Sequence, residues 1–81
     1  MKLPRNESAN GLIKTLSLLG YIKTRQSGSH IRLTRFVEGV EHHLTVPNHN
    51  PIQIGTLSDI LKDTATHLNI SNEELINKFY S

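Results

Sequence analysis

The residues best able to do chemistry lie in Gln26-Ser27-Gly28-Ser29-His30-Ile31-Arg32-Leu33, where a small polar turn opens into a strand beginning at a histidine. An imidazole, with an ordinary pKa of ~6.5, exchanges a proton near neutrality. The guanidinium two residues on is a permanent cation whose forked donors match phosphate. Period-two alternation sends Ile31 and Leu33 to one face and His30, Arg32 and Thr34 to the other. With the apolar pair in a core, a titratable group and a fixed cation share an exposed face, which suits a phosphate-bearing partner. A surface histidine with only local hydrogen bonds fits the alternation equally well.

The surrounding chain must supply a sheet for this face and a core behind it. From about Ser8, apolar residues Leu12, Ile13, Leu16 and Leu19 follow helical spacing, with Ser8 or Asn6 as N-cap and Gly20 at the left-handed closing position. Tyr21 to Arg25 then reads as a short strand with Ile22 inward and Tyr21, Lys23 and Arg25 outward. On that outer face Tyr21 could stack a base or pack against the helix end. A second strand runs from His30 to about Phe36, and the glycine-containing turn Val37 to Glu41 leads into a third, His42 to Val46. In the third strand Leu44 and Val46 point inward, His43 and Thr45 outward. Pro47-Asn48-His49-Asn50-Pro51 forms a stiff connector. Thr56-Leu57-Ser58-Asp59 predicts a helix start with Thr56 as N-cap, carrying Leu57, Ile60, Leu61, Thr64/Ala65 and Leu68 inward. Ser71-Asn72-Glu73-Glu74 is a capping box for a last helix, with Ile70 stapled onto Leu75.

The expected fold is therefore α+β, in the order α-β-β-β-α-α. A three-stranded antiparallel sheet has helices on one face and leaves the other wet. Parity gathers Lys23, Arg25, His30, Arg32 and His43 on the wet face, and a one-residue slip in any strand would reverse its contribution.

At 81 residues the chain is read as one domain, 1–81, with room for one core. It has no cysteine, so neither disulfides nor thiolate chemistry contribute. No apolar run approaches the ~20 residues of a membrane span and no signal-peptide pattern opens the chain, so the cytoplasm is the expected compartment. The net charge of +2 conceals a division. Met1 to Phe36 carries seven Lys/Arg against Glu7 alone, a balance of +6; from Val37 onward two lysines meet six acids, a balance of −4. A basic half is the footprint of a polyanion such as nucleic acid, and it also occurs as a merely solvated face.

Several blocks taken together resemble one family. They are Leu3-Pro4-Arg5, Leu18-Leu19-Gly20-Tyr21, Arg25-Gln26-Ser27-Gly28-Ser29-His30, Thr45-Val46-Pro47-Asn48-His49 and Gly55-Thr56-Leu57-Ser58-Asp59-Ile60-Leu61. In this order and spacing, from Lys2 to about Ile76, the chain resembles the HicA (YcfA-like) toxins. The resemblance implies a double-stranded-RNA-binding-domain-like fold. It also implies an mRNA interferase, an endoribonuclease toxin acting without the ribosome and neutralised by a HicB-type antitoxin. It assigns the catalytic histidine to His30. The Pro47-Asn48-His49 block belongs to the family pattern as well, with a substrate or a structural role for His49.

On this reading the RNA contacts are Lys23, Arg25, Ser29, Arg32 and His43, and the partners are mRNA and the antitoxin, with room for a higher-order hetero-oligomer. No cofactor, metal or membrane is called for. A metal site from His42, His43 and His49 is disfavoured because adjacent strand residues point to opposite faces. A second group to protonate the leaving oxygen is not apparent; His43, His49 and water are the candidates. The competing reading is a non-catalytic RNA- or DNA-binding module using the same basic face, which would need no particular His30.

Overall fold

The computed structural model describes residues 3–80, so Lys2, counted above among the cations of the basic half, lies outside them. Elements follow the expected order: α1 (Ala9–Ser17), β1 (Ile22–Ser27), β2 (His30–Val37), β3 (Val40–Pro47), α2 (Ile54–Leu68) and α3 (Asn72–Tyr80). The strands form one antiparallel sheet in the order β1-β2-β3, an α+β fold with β2 at its centre.

Alternation in β2 and β3 is as the sequence reads. Ile31, Leu33, Leu44 and Val46 are buried on the inner face, where they meet Leu12 and Leu16 of α1 and Leu57, Ile60, Leu61 and Ala65 of α2. Leu75 and Ile76 of α3 extend this core. Burial of each such side chain contributes roughly 1.5–3 kcal/mol.

Strand β1 departs from expectation. It begins at Ile22 rather than Tyr21, and the parity of the pair is reversed: Tyr21 is 1% exposed and Ile22 64%. The cause lies in how α1 ends. Gly20 takes φ +97°, its N–H donates to the Ser17 carbonyl (3.1 Å), and the Tyr21 N–H donates to the Leu16 carbonyl (3.2 Å). This is a Schellman closure, which sets the residue after the glycine against the one three places before the cap. Tyr21 therefore packs inward beside Leu16, and Ile22 turns out. The same closure ends α2, with Asn69 at φ 59° and the Ile70 N–H on the Ala65 carbonyl (3.0 Å).

Helix α2 begins at Ile54, before Thr56, and no side chain caps it. Its start is set by the preceding Ile52, which is buried and donates its N–H to the Glu7 carbonyl (2.8 Å). The N-caps of the other helices are as read: Ser8 Oγ accepts from Gly11 N (2.9 Å) and Ser71 Oγ from Glu74 N (3.0 Å). The connector after β3, with a cis Asn50–Pro51 bond, is tied to α1 by Asn50 Oδ1, which accepts from Ala9 N (3.0 Å). Tyr80 at the end of α3 donates to Glu7 Oε2 (2.7 Å).

Towards the β2–β3 turn the inner face becomes polar, where Arg35 stands opposite His42. Arg35 Nε donates to the Leu19 carbonyl (2.8 Å), and another of its nitrogens lies 3.3 Å from His67 Nε2. His42 bridges Tyr21 and Asp63: the Tyr21 hydroxyl is 2.6 Å from Nδ1, and the Asp63 carboxylate is 3.1 Å from Nε2. The His42 and His67 rings stack at 4.1 Å. Burial of the Tyr21 hydroxyl pushes its pKa up to about 12, so it stays a proton donor.

His67 has its pKa lowered, first by burial and then by His42 and Arg35. Its neutral form thus belongs to the folded state. Below the unfolded value of ~6.5 the unfolded chain binds more protons. The contribution of His67 is complete above that pH and is lost as pH falls through the lower folded value. Melting temperatures between pH 7.5 and 5 should fall, and His67→Gln should fall less steeply; parallel curves for the two proteins would show that the pair does not couple to folding.

Candidate nucleic-acid interface

The outer face is assembled by two tight turns and one irregularity. Gly28 takes φ +58° at the first central position of the two-residue β1–β2 connection, the pattern of a type II′ turn. At the other end of β2, Glu38 (φ 53°) and Gly39 (φ 80°) form the β2–β3 turn with both central residues at positive φ. The first turn sets Ser27 opposite His30. It is held from the far side by the connector, where Asn48 N donates to the Ser29 carbonyl (2.6 Å).

His30, Arg32, Thr34 and Phe36 alternate outward along β2. Across the sheet Arg32 faces Arg25 on one side and Thr45 on the other, while His30 faces Ser27 and Pro47. Arg25, Ser27, His30, Arg32 and Thr45 line an open depression of about 200 Å³. Two guanidinium groups, an imidazole and two hydroxyls thus border one hollow. Among the described residues, ion pairs are confined to His42 with Asp63 and His43 with Glu41, so the two arginines have no carboxylate of their own.

The pairing register shifts between Lys23 and Arg25. The pairing on either side of this bulge corrects one placement. Lys23 stands opposite Leu33, whose side chain is buried on the helix side, so Lys23 belongs to that side at the exposed sheet edge and not to the depression. Arg25, beyond the bulge, is on the outer face as expected. Without the bulge a period-two strand would carry Lys23 and Arg25 on the same side; the extra residue turns Arg25 outward, where it pairs with Arg32.

His43 is on the outer face but apart from His30. It pairs with Thr34, four residues along β2, about 13 Å at ordinary strand rise. Its Nδ1 lies 2.9 Å from Thr34 Oγ1, which in turn lies 2.9 Å from Thr24 Oγ1. His42 points to the inner face, so the two neighbouring histidines do separate jobs. Ser29 is exposed in the turn and does not line the depression; Ser27 and Thr45 do. Thr45 was readable as outward. Ser27 would have been found by extending β1 to the turn, where it becomes the cross-strand partner of His30. His49 is exposed in the connector, its N–H donating to the Pro47 carbonyl (2.9 Å), two residues beyond the partner of His30.

Among the described residues no group of three or more His, Asp or Glu side chains is arranged to hold a metal ion, and no helix is long and apolar enough to cross a membrane.

No curated protein and no solved structure matches the chain. A family model does, over residues 9–65, which include the whole sheet, the depression and most of α2. Its description is the HicA toxin of bacterial toxin-antitoxin systems, and over that span of an 81-residue chain the match is to most of the molecule. The chain belongs to the HicA toxin family.

Proposed function

We propose that this HicA-family toxin is a cytoplasmic endoribonuclease that cuts mRNA without the ribosome, with His30 as its acid/base group. The observation that carries the reading is the open depression on the outer face, where His30 stands beside Arg25, Arg32, Ser27 and Thr45. RNA brings its own nucleophile. His30 takes the proton of a ribose 2′-hydroxyl, and that oxygen attacks the adjacent phosphorus. The bond from phosphorus to the 5′-oxygen breaks, leaving a 2′,3′-cyclic phosphate and a 5′-hydroxyl. Arg25 and Arg32 hold the phosphate and offset the charge that develops on its oxygens. The leaving oxygen takes its proton from water or from His49. At about 13 Å from His30 along the strand, His43 is too distant to serve the same phosphate. DNA, without the 2′-hydroxyl, is spared.

One positioned general base supplies typically ~10²–10⁴-fold, a modest rate that suits a toxin acting on abundant message. A HicB-type antitoxin would silence the site by covering the outer face, with acids set against Arg25 and Arg32. Charge would then speed the encounter, and a buried apolar centre would set the lifetime of the complex.

His30→Ala should abolish cleavage of a defined RNA, with the products of the unaltered protein carrying cyclic phosphate and 5′-hydroxyl ends in the presence of EDTA. Because His30 is exposed, circular dichroism and RNA affinity should hardly change. Cleavage at an undiminished rate by the variant would leave the non-catalytic binding module as the better reading.

The bulge in β1 yields a second expectation. Arg25→Ala and Arg32→Ala should each weaken RNA binding and reduce the slope of log K against log salt by about 0.7, the value for one phosphate of a single strand. Lys23→Ala, on the other side of the strand, should change the slope less. Equal slopes in all three variants would mean that position on the sheet is immaterial and only net charge counts.

A further inference from the structure

Six residues along β2 from His30, on the same outer face, Phe36 is 65% exposed. A large aromatic ring left bare on the central strand of a sheet has no role in the core. Ile22, 64% exposed, pairs with Thr34 and is therefore the diagonal neighbour of Phe36 on that face, about 7–8 Å away. On the other side Phe36 stands opposite Glu41. The Glu41 carboxylate is more than half exposed and lies 3.7 Å from His43 Nε2. The outer face is thus divided: cations and hydroxyls at the β1–β2 end, a ring with an aliphatic wall and a carboxylate at the β2–β3 end.

We propose that Phe36, Ile22 and Glu41 form a base-binding subsite for single-stranded RNA, which rests on the ribonuclease reading above for its ligand. A single strand whose scissile phosphate lies against His30 runs along β2, past Arg25 and Arg32, and reaches Phe36 six residues on, after about 20 Å. About four nucleotides cover that distance, at the short end of sites on single-strand platforms. The ring of Phe36 stacks on a base, and Ile22 closes one side. A carboxylate at this point repels phosphate but accepts hydrogen bonds, so it favours a base with an exocyclic amino group. Cytosine, with its N4 donor, is the pattern that Glu suits, and adenine offers N6; uracil has no amino group to give.

The test uses 2′-O-methyl oligonucleotides, which bind without being cut. Affinities of an octamer and a trimer are measured for the unaltered protein, Phe36→Ala, Phe36→Trp and Glu41→Gln. The unaltered protein should bind the octamer at least tenfold more tightly than the trimer. Phe36→Ala should remove most of that gain and Phe36→Trp retain it. Octamers of cytosine or adenine should exceed those of uracil, and Glu41→Gln should narrow the difference. An octamer affinity unaffected by Phe36→Ala would overturn the subsite and mark this patch as a surface for a protein partner. If the unaltered protein cuts no unmodified RNA yet shows the Phe36-dependent gain, the cleavage reading fails and the subsite stands. If it cuts RNA but shows no gain, the subsite alone fails. Absence of any octamer binding defeats both.

Discussion

Burial of Ile31 and Leu33 is the constraint on which the site depends. Both are nearly inaccessible, and each faces a buried partner on β3, Val46 and Leu44. Shifting the central strand by one residue would expose this pair and drive His30 and Arg32 into an apolar core. Burying an unpaired guanidinium costs several kcal/mol even after relaxation, so the register admits no such slip. The outward direction of His30 is thus enforced from behind, by hydrophobic burial, and needs no interaction on the solvent face. That leaves the imidazole free of obligations to the fold, as the proposed acid/base role requires.

Different physics holds the other end of β2. There the inner face carries Arg35 and His42, and the covering helix supplies Asp63 and His67. The Tyr21 hydroxyl, itself nearly inaccessible, closes the chain of polar contacts. His42 reaches both neighbours at once, with the Tyr21 hydroxyl at Nδ1 and the Asp63 carboxylate at Nε2. Such networks are worth having only when every member is satisfied. Here they let the sheet extend beyond the apolar core towards the β2–β3 turn, and so carry Phe36 and Glu41 out to where they are exposed.

Elements with strong period and clear punctuation were legible in the sequence. The three helices, the two turns and the inward residues of β2 and β3 follow from apolar spacing and from Gly28 and Gly39. Three features were not. The inversion of Tyr21 and Ile22 came from a Schellman closure, which adds a non-alternating step that a strand parity cannot register. The bulge after Lys23 separated two cations that look equivalent in sequence, because an extra residue in one strand leaves no compositional mark. The start of α2 was set by a distant contact from Ile52 to Glu7 rather than by the Thr56 cap pattern. In each case a tertiary or chain-reversal contact overrode a local rule. The division of labour between His42 and His43, by contrast, follows from alternation alone.

Arg25 and Arg32 face each other directly across β1 and β2 without a carboxylate between them. Like charges in directly opposed positions of a sheet are destabilising, and a surface selected for stability would set an acid at one of them. The acids of this chain lie elsewhere: Glu38 and Glu41 at the far end of the sheet, the rest on the helices apart from Glu7. A local rule broken without internal compensation marks a place where compensation comes from outside. An anion between the two guanidinium groups relieves their repulsion and gains charge-assisted hydrogen bonds from both. On the proposed reading the phosphate of a nucleic acid would do this beside His30, and the acidic side chain of an inhibitor would do it equally well. The same unpaired cations would then make the site both attractive to the proposed substrate and easy to block.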